Sequence, residues 1–211
     1  MQSNKIYGII ETSKEKEQEM KKIYLILTHT GTILSTIIKQ YTKDEYSHVS
    51  IALDEELHEM YSFGRLNPYN PFWGGFVHEG IARGTFKRFK NTTTEIYSLK
   101  ITDEQYEKLK KVIRYFNNNK EKYKFNTIGL ACVCIRKKIT LKNTFYCAEF
   151  VRHVLKSARI QVGTLPEIIK PEDFKDIDGI KLEYQGLLRK YNKADKINIM
   201  DILNKNEISY V

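Results

Sequence analysis

One stretch limits the fold more than any other: "TEIYSLKI" (residues 94–101) runs straight into "TDEQYEKLKKVIRYF" (102–116). Thr102 and Gln105 match a capping box, which starts a helix there. Tyr106, Leu109, Ile113 and Phe116 fall on one face of that helix and charged residues fill the other. A helix of this kind must lay its apolar stripe on another layer. The β-forming run before it marks that layer as a sheet.

Further strands are legible on either side. "IYLILTHTG" (23–31) is an apolar, β-prone run ended by Gly31, and "TILSTIIKQYT" continues with helical spacing, giving strand, turn, helix. "SHVSIAL" and "ELHEMYSFG" are short β-rich segments separated by the acidic pair "DE", a hairpin pattern. "RLNPYNPFWGGF" (65–76) carries two prolines, two asparagines and paired glycines and reads as an aromatic loop. "IGLACVCIRK" is apolar without a clear period, "PEIIKPEDFKDI" is turn-rich, and "IKLEYQGLLRKY" reads as a late strand. The pattern predicts an α+β fold around an antiparallel sheet, with residues 1–19 a polar extension, 20–190 the domain, and 191–211 a polar tail.

At 211 residues with 41% hydrophobic and 29% charged residues, the chain suits one domain with its own core. Its formal charge of +9 fits attraction to anionic partners, but the lysines are spread along the chain. No basic cluster interleaved with aromatics marks a specific nucleic-acid site. No apolar run reaches the ~18 residues that span a bilayer, and the N-terminus lacks an apolar leader core. These features lead to the expectation of a cytoplasmic protein. Three cysteines without an export signal read as free thiols, and Cys132 and Cys134 lack a second pair with metal spacing. No metal or other cofactor is expected.

"NTFYCAEFVRHVL" (143–155) holds the third cysteine. Phe150, Val151, Val154 and Leu155 line one helical face, so Cys147 opens a helix or lies one turn into it. A thiol there is either ordinary core or, beside the positive helix end, a reactive thiolate. His153 follows Cys147 by six residues and points to a different face. His48, between Ser47 and Val49, has its direction fixed by a strand. If "DE" is a two-residue hairpin loop, Ser50 faces Glu59, and His48 and Glu59 become diagonal neighbours on one face. A loop longer by one residue puts His58 there instead. Tyr146 is open to two roles, hydrogen-bond donor or core aromatic, and Tyr69, Phe72 and Trp73 are candidates for a cleft wall. "THTGT" at a helix start suits either a structural turn or an anion.

The order of "YSHVSIAL", an acid in "ELHEMYSFG" and a cysteine in "FYCAEFV" resembles the permuted NlpC-like, papain-fold cysteine hydrolases of the YiiX/YebB type. In that family circular permutation reverses the usual order of cysteine before histidine. The resemblance spans about residues 20–190. It implies a papain-like fold, Cys147 as nucleophile, His48 as general base and then acid, and Glu59 as the group that orients His48. The activity implied is hydrolysis of an amide bond in a small peptide or amino-acid amide, such as a cell-wall fragment. Acyl transfer or thioester hydrolysis on an acyl lipid is the alternative within the fold, and a non-catalytic binding module the alternative outside it.

Overall fold

The computed structural model describes residues 20–67, 70–134, 137–139, 141–163 and 165–192. The fold is α+β. Strand β1 (Met20–His29) leads into helix α1 (Ile33–Thr42), whose N-cap Thr32 accepts a hydrogen bond from the Ser35 amide. Strands β2 (His48–Ala52), β3 (Met60–Asn67) and β4 (Asn70–Glu79) follow as a meander, then the short helix α2 (Gly84–Arg88) and strand β5 (Thr93–Thr102). Helix α3 (Asp103–Asn118) starts at the expected capping box. Next come β6 (Lys124–Phe125), α4 (Thr127–Cys134), β7 (Thr144–Phe145), α5 (Cys147–Ser157) and β8 (Lys181–Leu187).

Six of the strands form one antiparallel sheet in the order β4-β3-β2-β1-β5-β8, while β6 and β7 pair in parallel beside it. Central β1 explains why "IYLIL" is apolar without a break: both of its faces are covered. Ile23, Leu25 and Leu27 join Val49, Ile51 and Phe63 under α3 and α5. Tyr24 and Ile26 face the other side with Ala52, Met60, Phe86 and Ile96. Helix α5 contributes Phe150, Val151, Val154 and Leu155, all fully buried, to the first core. At ~1.5–3 kcal/mol per large buried apolar side chain, this face is a major anchor of α5 on β2 and β3.

Two expectations change. The aromatic segment 65–76 is not a loop: Arg65–Asn67 completes β3 and Asn70 onward is β4. Its turn chemistry misled because the sheet puts those residues to other uses. Pro71 is tolerated because β4 is an edge strand, and Gly74 and Gly75 pair in register with Arg65 and Gly64. A Cβ on Gly74 would lie 2.7 Å from the Gly64 carbonyl oxygen and 2.8 Å from the Phe125 Cβ. The tail expected from residue 191 begins later, since Tyr191 is buried and its hydroxyl donates to the Glu55 carbonyl at 2.8 Å. The polar extension 1–19 and residues 193–211 lie outside the described residues. No described helix is long and apolar enough to cross a membrane.

Because the Gly64 carbonyl and the Phe125 side chain close on Gly74, Gly74→Ala should destabilise the protein by roughly 1–3 kcal/mol. The expected result is a lower urea midpoint with an unchanged m-value.

Candidate active site

Cys147 is the first residue of α5 and is 3% exposed. Tyr146 before it is extended, which brings the chain in along β7 and turns it into the helix at the cysteine. The Glu149 carboxylate closes the turn by accepting the Tyr146 amide at 3.2 Å. The amides of Cys147 and Ala148, in the first turn, have no acceptor within the helix. The Cys147 sulfur and two N–H donors without a partner inside the helix therefore share one helix end.

His48 begins β2, at the rim of the sheet, with a side chain 19% exposed. Its Nε2 lies 3.1 Å from Glu79 Oε1 and 3.3 Å from Ser50 Oγ, and Ser50 donates to the other Glu79 oxygen. That engagement leaves Nδ1 as the nitrogen available to the Cys147 thiol. The two side chains line one cavity. Burial by itself would drive the imidazole toward its neutral form. The Glu79 charge opposes this, together with hydrogen bonds that the ring makes to Cys147 and Glu79, and the His48 pKa is pushed up to about 10. Burial also works against ionised Glu79, but the His48 charge and hydrogen bond, with the Ser50 and Ser62 hydroxyls, hold its carboxyl below the ordinary value.

Glu79 reaches His48 from the end of β4, across β3, because Gly64 lies between them. A Cβ there would sit 3.4 Å from Glu79 Oε1 and 3.4 Å from His48 Cε1. Glu79, and not Glu59, is thus the carboxylate on the histidine. The expected register fails because the β2–β3 loop is longer than "DE". The pairs are Ile51 with Tyr61 and Ala52 with Met60, and the Leu53 amide donates to the Glu59 carbonyl. Asp54 holds this wider loop through the amides of His58 at 2.8 Å and Glu59 at 2.6 Å, while Leu57 takes a φ of 59°. Glu59 ends up exposed, accepting from the Tyr61 hydroxyl, and exposed His58 faces Asp54. The signal for Glu79 lay in "GGFVHEG": read as a strand, its period of two puts Gly75, Val77 and Glu79 on one face.

The other candidates separate. The Tyr146 hydroxyl donates to the Ile169 carbonyl at 3.0 Å and the ring is buried, so this phenol is core. Trp73 is 61% exposed and borders a groove of about 640 Å³ with Leu66, Val77, Tyr123 and Phe125. Phe125 also walls the Cys147 cavity, so the groove and the cavity adjoin. Tyr69 lies outside the described residues, and of Phe72 only the backbone, in β4, is described. His153 packs on Phe116 and Phe145, away from Cys147. Thr30 and Thr32 of "THTGT" line the same cavity as Cys147, together with Arg65 and Ser35, which no motif in the sequence marked.

No protein-family model matches the chain, and none of the curated proteins is detectably similar to it.

The His48–Glu79 pair has a pH signature. With its folded pKa raised, His48 contributes stability that is complete below about pH 6.5 and is lost as pH rises through about 10. With its pKa depressed, Glu79 contributes stability present above its ordinary pKa and lost on acidification. The wild type should therefore lose roughly 1–3 kcal/mol relative to His48→Gln between pH 6 and 9.5. Urea unfolding of both proteins at the two pH values measures this.

Proposed function

We propose that the protein is a thiol-dependent hydrolase that cleaves an amide bond in a small peptide or amide substrate, on a permuted papain-like frame. The observation that carries this reading is the contact chain from the Cys147 thiol through His48 to Glu79 at the start of a helix. The chain order supports the same reading, with histidine on a strand, acid on a later strand, and cysteine opening a helix after both.

In this mechanism His48 takes the thiol proton and the sulfur attacks the carbonyl carbon, forming a C–S bond. The negative oxygen meets the amides at the start of α5. His48 then gives its proton to the leaving nitrogen as the C–N bond breaks. A thioester is left. Water, deprotonated by His48, attacks that thioester, the C–S bond breaks, and the thiol returns with its proton. Glu79 stabilises the imidazolium through both proton transfers and fixes the ring so that Nδ1 faces the sulfur. The second reading, acyl transfer or thioester hydrolysis on an acyl lipid, uses the same steps with a different acceptor or leaving group. It is favoured by the apolar walls of the adjoining groove.

The first test needs no physiological substrate. Iodoacetamide at pH ~6 should label Cys147, mapped by mass spectrometry, and His48→Ala should slow that labelling about tenfold or more. If Cys147 reacts no faster than a thiol of the denatured chain and His48→Ala changes nothing, both catalytic readings fall and a binding module takes their place.

The second test weighs the two carboxylates. With p-nitrophenyl acetate as acyl donor, Glu79→Gln should lower the acylation rate of Cys147 about a hundredfold or more. Glu59→Gln should stay near wild type. The reverse pattern would return the orienting role to Glu59.

A further inference from the structure

Arg65 lies on β3, next to Gly64, and is partly buried in the wall of the cavity that holds Cys147 and His48. Its NH2 group donates to Thr30 Oγ1 at 3.4 Å, and its guanidinium rests over the Phe89 ring at 5.3 Å. Among the described residues it makes no ion pair. Arg88 lies over the same ring, 5.4 Å from its centre, and adds to the positive field at Arg65. Glu79 is the carboxylate of this cavity; its charge offsets part of that field at Arg65, but its oxygens are taken by His48 and Ser50. With the thiol proton on His48, the imidazolium is answered by Glu79 and by the Cys147 sulfur, while Arg65 keeps a charge that no ion pair among the described residues answers.

A guanidinium drawn out of water without a carboxylate partner is costly unless something else answers its charge. Its planar fork of N–H donors matches the two oxygens of a carboxylate or the oxygens of a phosphate. Beside it the hydroxyls of Thr30, Thr32 and Ser35 form a connected cluster, with separations of 3.3 Å, 3.3 Å and 3.1 Å. Hydroxyls can turn to donate to an anion as readily as to one another. The cavity, about 70 Å³, has room for roughly two waters and hence for a carboxylate-sized group next to the reacting carbonyl.

We propose that Arg65 determines specificity in this cleft, binding an oxyanion, carboxylate or phosphate, that the substrate carries close to its scissile acyl carbon. This rests on the hydrolase reading for what is cleaved. Binding of the anion itself rests only on the cavity. Cys147 would then act on acidic acyl compounds and pass over neutral ones of the same size. The recognition is not a surface-charge effect, because it depends on one fork-shaped side chain beside the nucleophile.

Iodoacetate and iodoacetamide offer a matched pair of probes, since both alkylate Cys147 by displacing iodide and they differ in carrying a carboxylate or a neutral amide. The readout is the ratio of the iodoacetate rate to the iodoacetamide rate within each protein. That ratio should fall about tenfold in Arg65→Gln and only partly in Arg65→Lys, which keeps the charge and loses the fork. In the wild type, succinate or inorganic phosphate at millimolar concentration should protect Cys147 from iodoacetamide, and the stronger protector identifies which oxyanion the site takes. This arm needs no variant to fold. An unchanged ratio in Arg65→Gln, or protection by neither anion, overturns the proposal. Neither outcome depends on amide cleavage, so the hydrolase reading stands or falls separately on the His48→Ala labelling rate.

Discussion

The contact between His48 and Glu79 is the constraint around which the rest of the site is arranged. Each group is mostly withdrawn from water, and each is ionised in the folded protein only because the other is there. Removing one partner would leave an uncompensated charge, which costs far more than the pair contributes. The surroundings serve this requirement. Gly64 keeps the path between the two groups clear, and Ser50 donates to the second carboxylate oxygen. The meander of β2, β3 and β4 delivers both side chains to one rim of the sheet.

The Cys147 thiol is placed by a different kind of force. The helix that carries the thiol is held by its apolar face, and the contact with His48 is made once that face is seated. Phe150, Val151, Val154 and Leu155 seat α5 on β2 and β3, and the Tyr146 hydroxyl ties the preceding residue to the Ile169 carbonyl. Dispersion and hydrophobic burial thus fix where the sulfur sits, while electrostatics fixes which way the imidazole faces. The two systems meet only at the Cys147–His48 contact.

This division explains what could be read from the sequence. Periodicity found α3 and its cap, the α5 face, β1, and the strand that carries His48, because each depends on local spacing that packing then rewards. Cys147 and His48 were legible for that reason. Glu59 was not the right acid, because register across a hairpin depends on loop length, and Asp54 lengthens that loop through two side-chain hydrogen bonds that no spacing rule records. Glu79 was hidden by the prolines and glycines before it, which are turn residues in most settings and strand residues here. Their use is set by an edge position and a close backbone approach, both tertiary facts.

Residues 124–126 and 143–145 form a small clasp. The Lys124 amide donates to the Asn143 carbonyl at 3.0 Å and the Asn126 amide to the Phe145 carbonyl at 2.9 Å, with Phe125 paired to Phe145. One side of the clasp presents Phe125 as the partition between the open groove and the reactive cavity, and the other side leads within two residues to Cys147. The partition and the Cys147 thiol thus sit on two segments joined by backbone hydrogen bonds. A change that shifts the backbone at residue 125 is felt, through that pairing, at the entry to α5. Leu66 and Trp73, on β3 and β4, form the opposite bank, and neither lies on the segment that leads into Cys147.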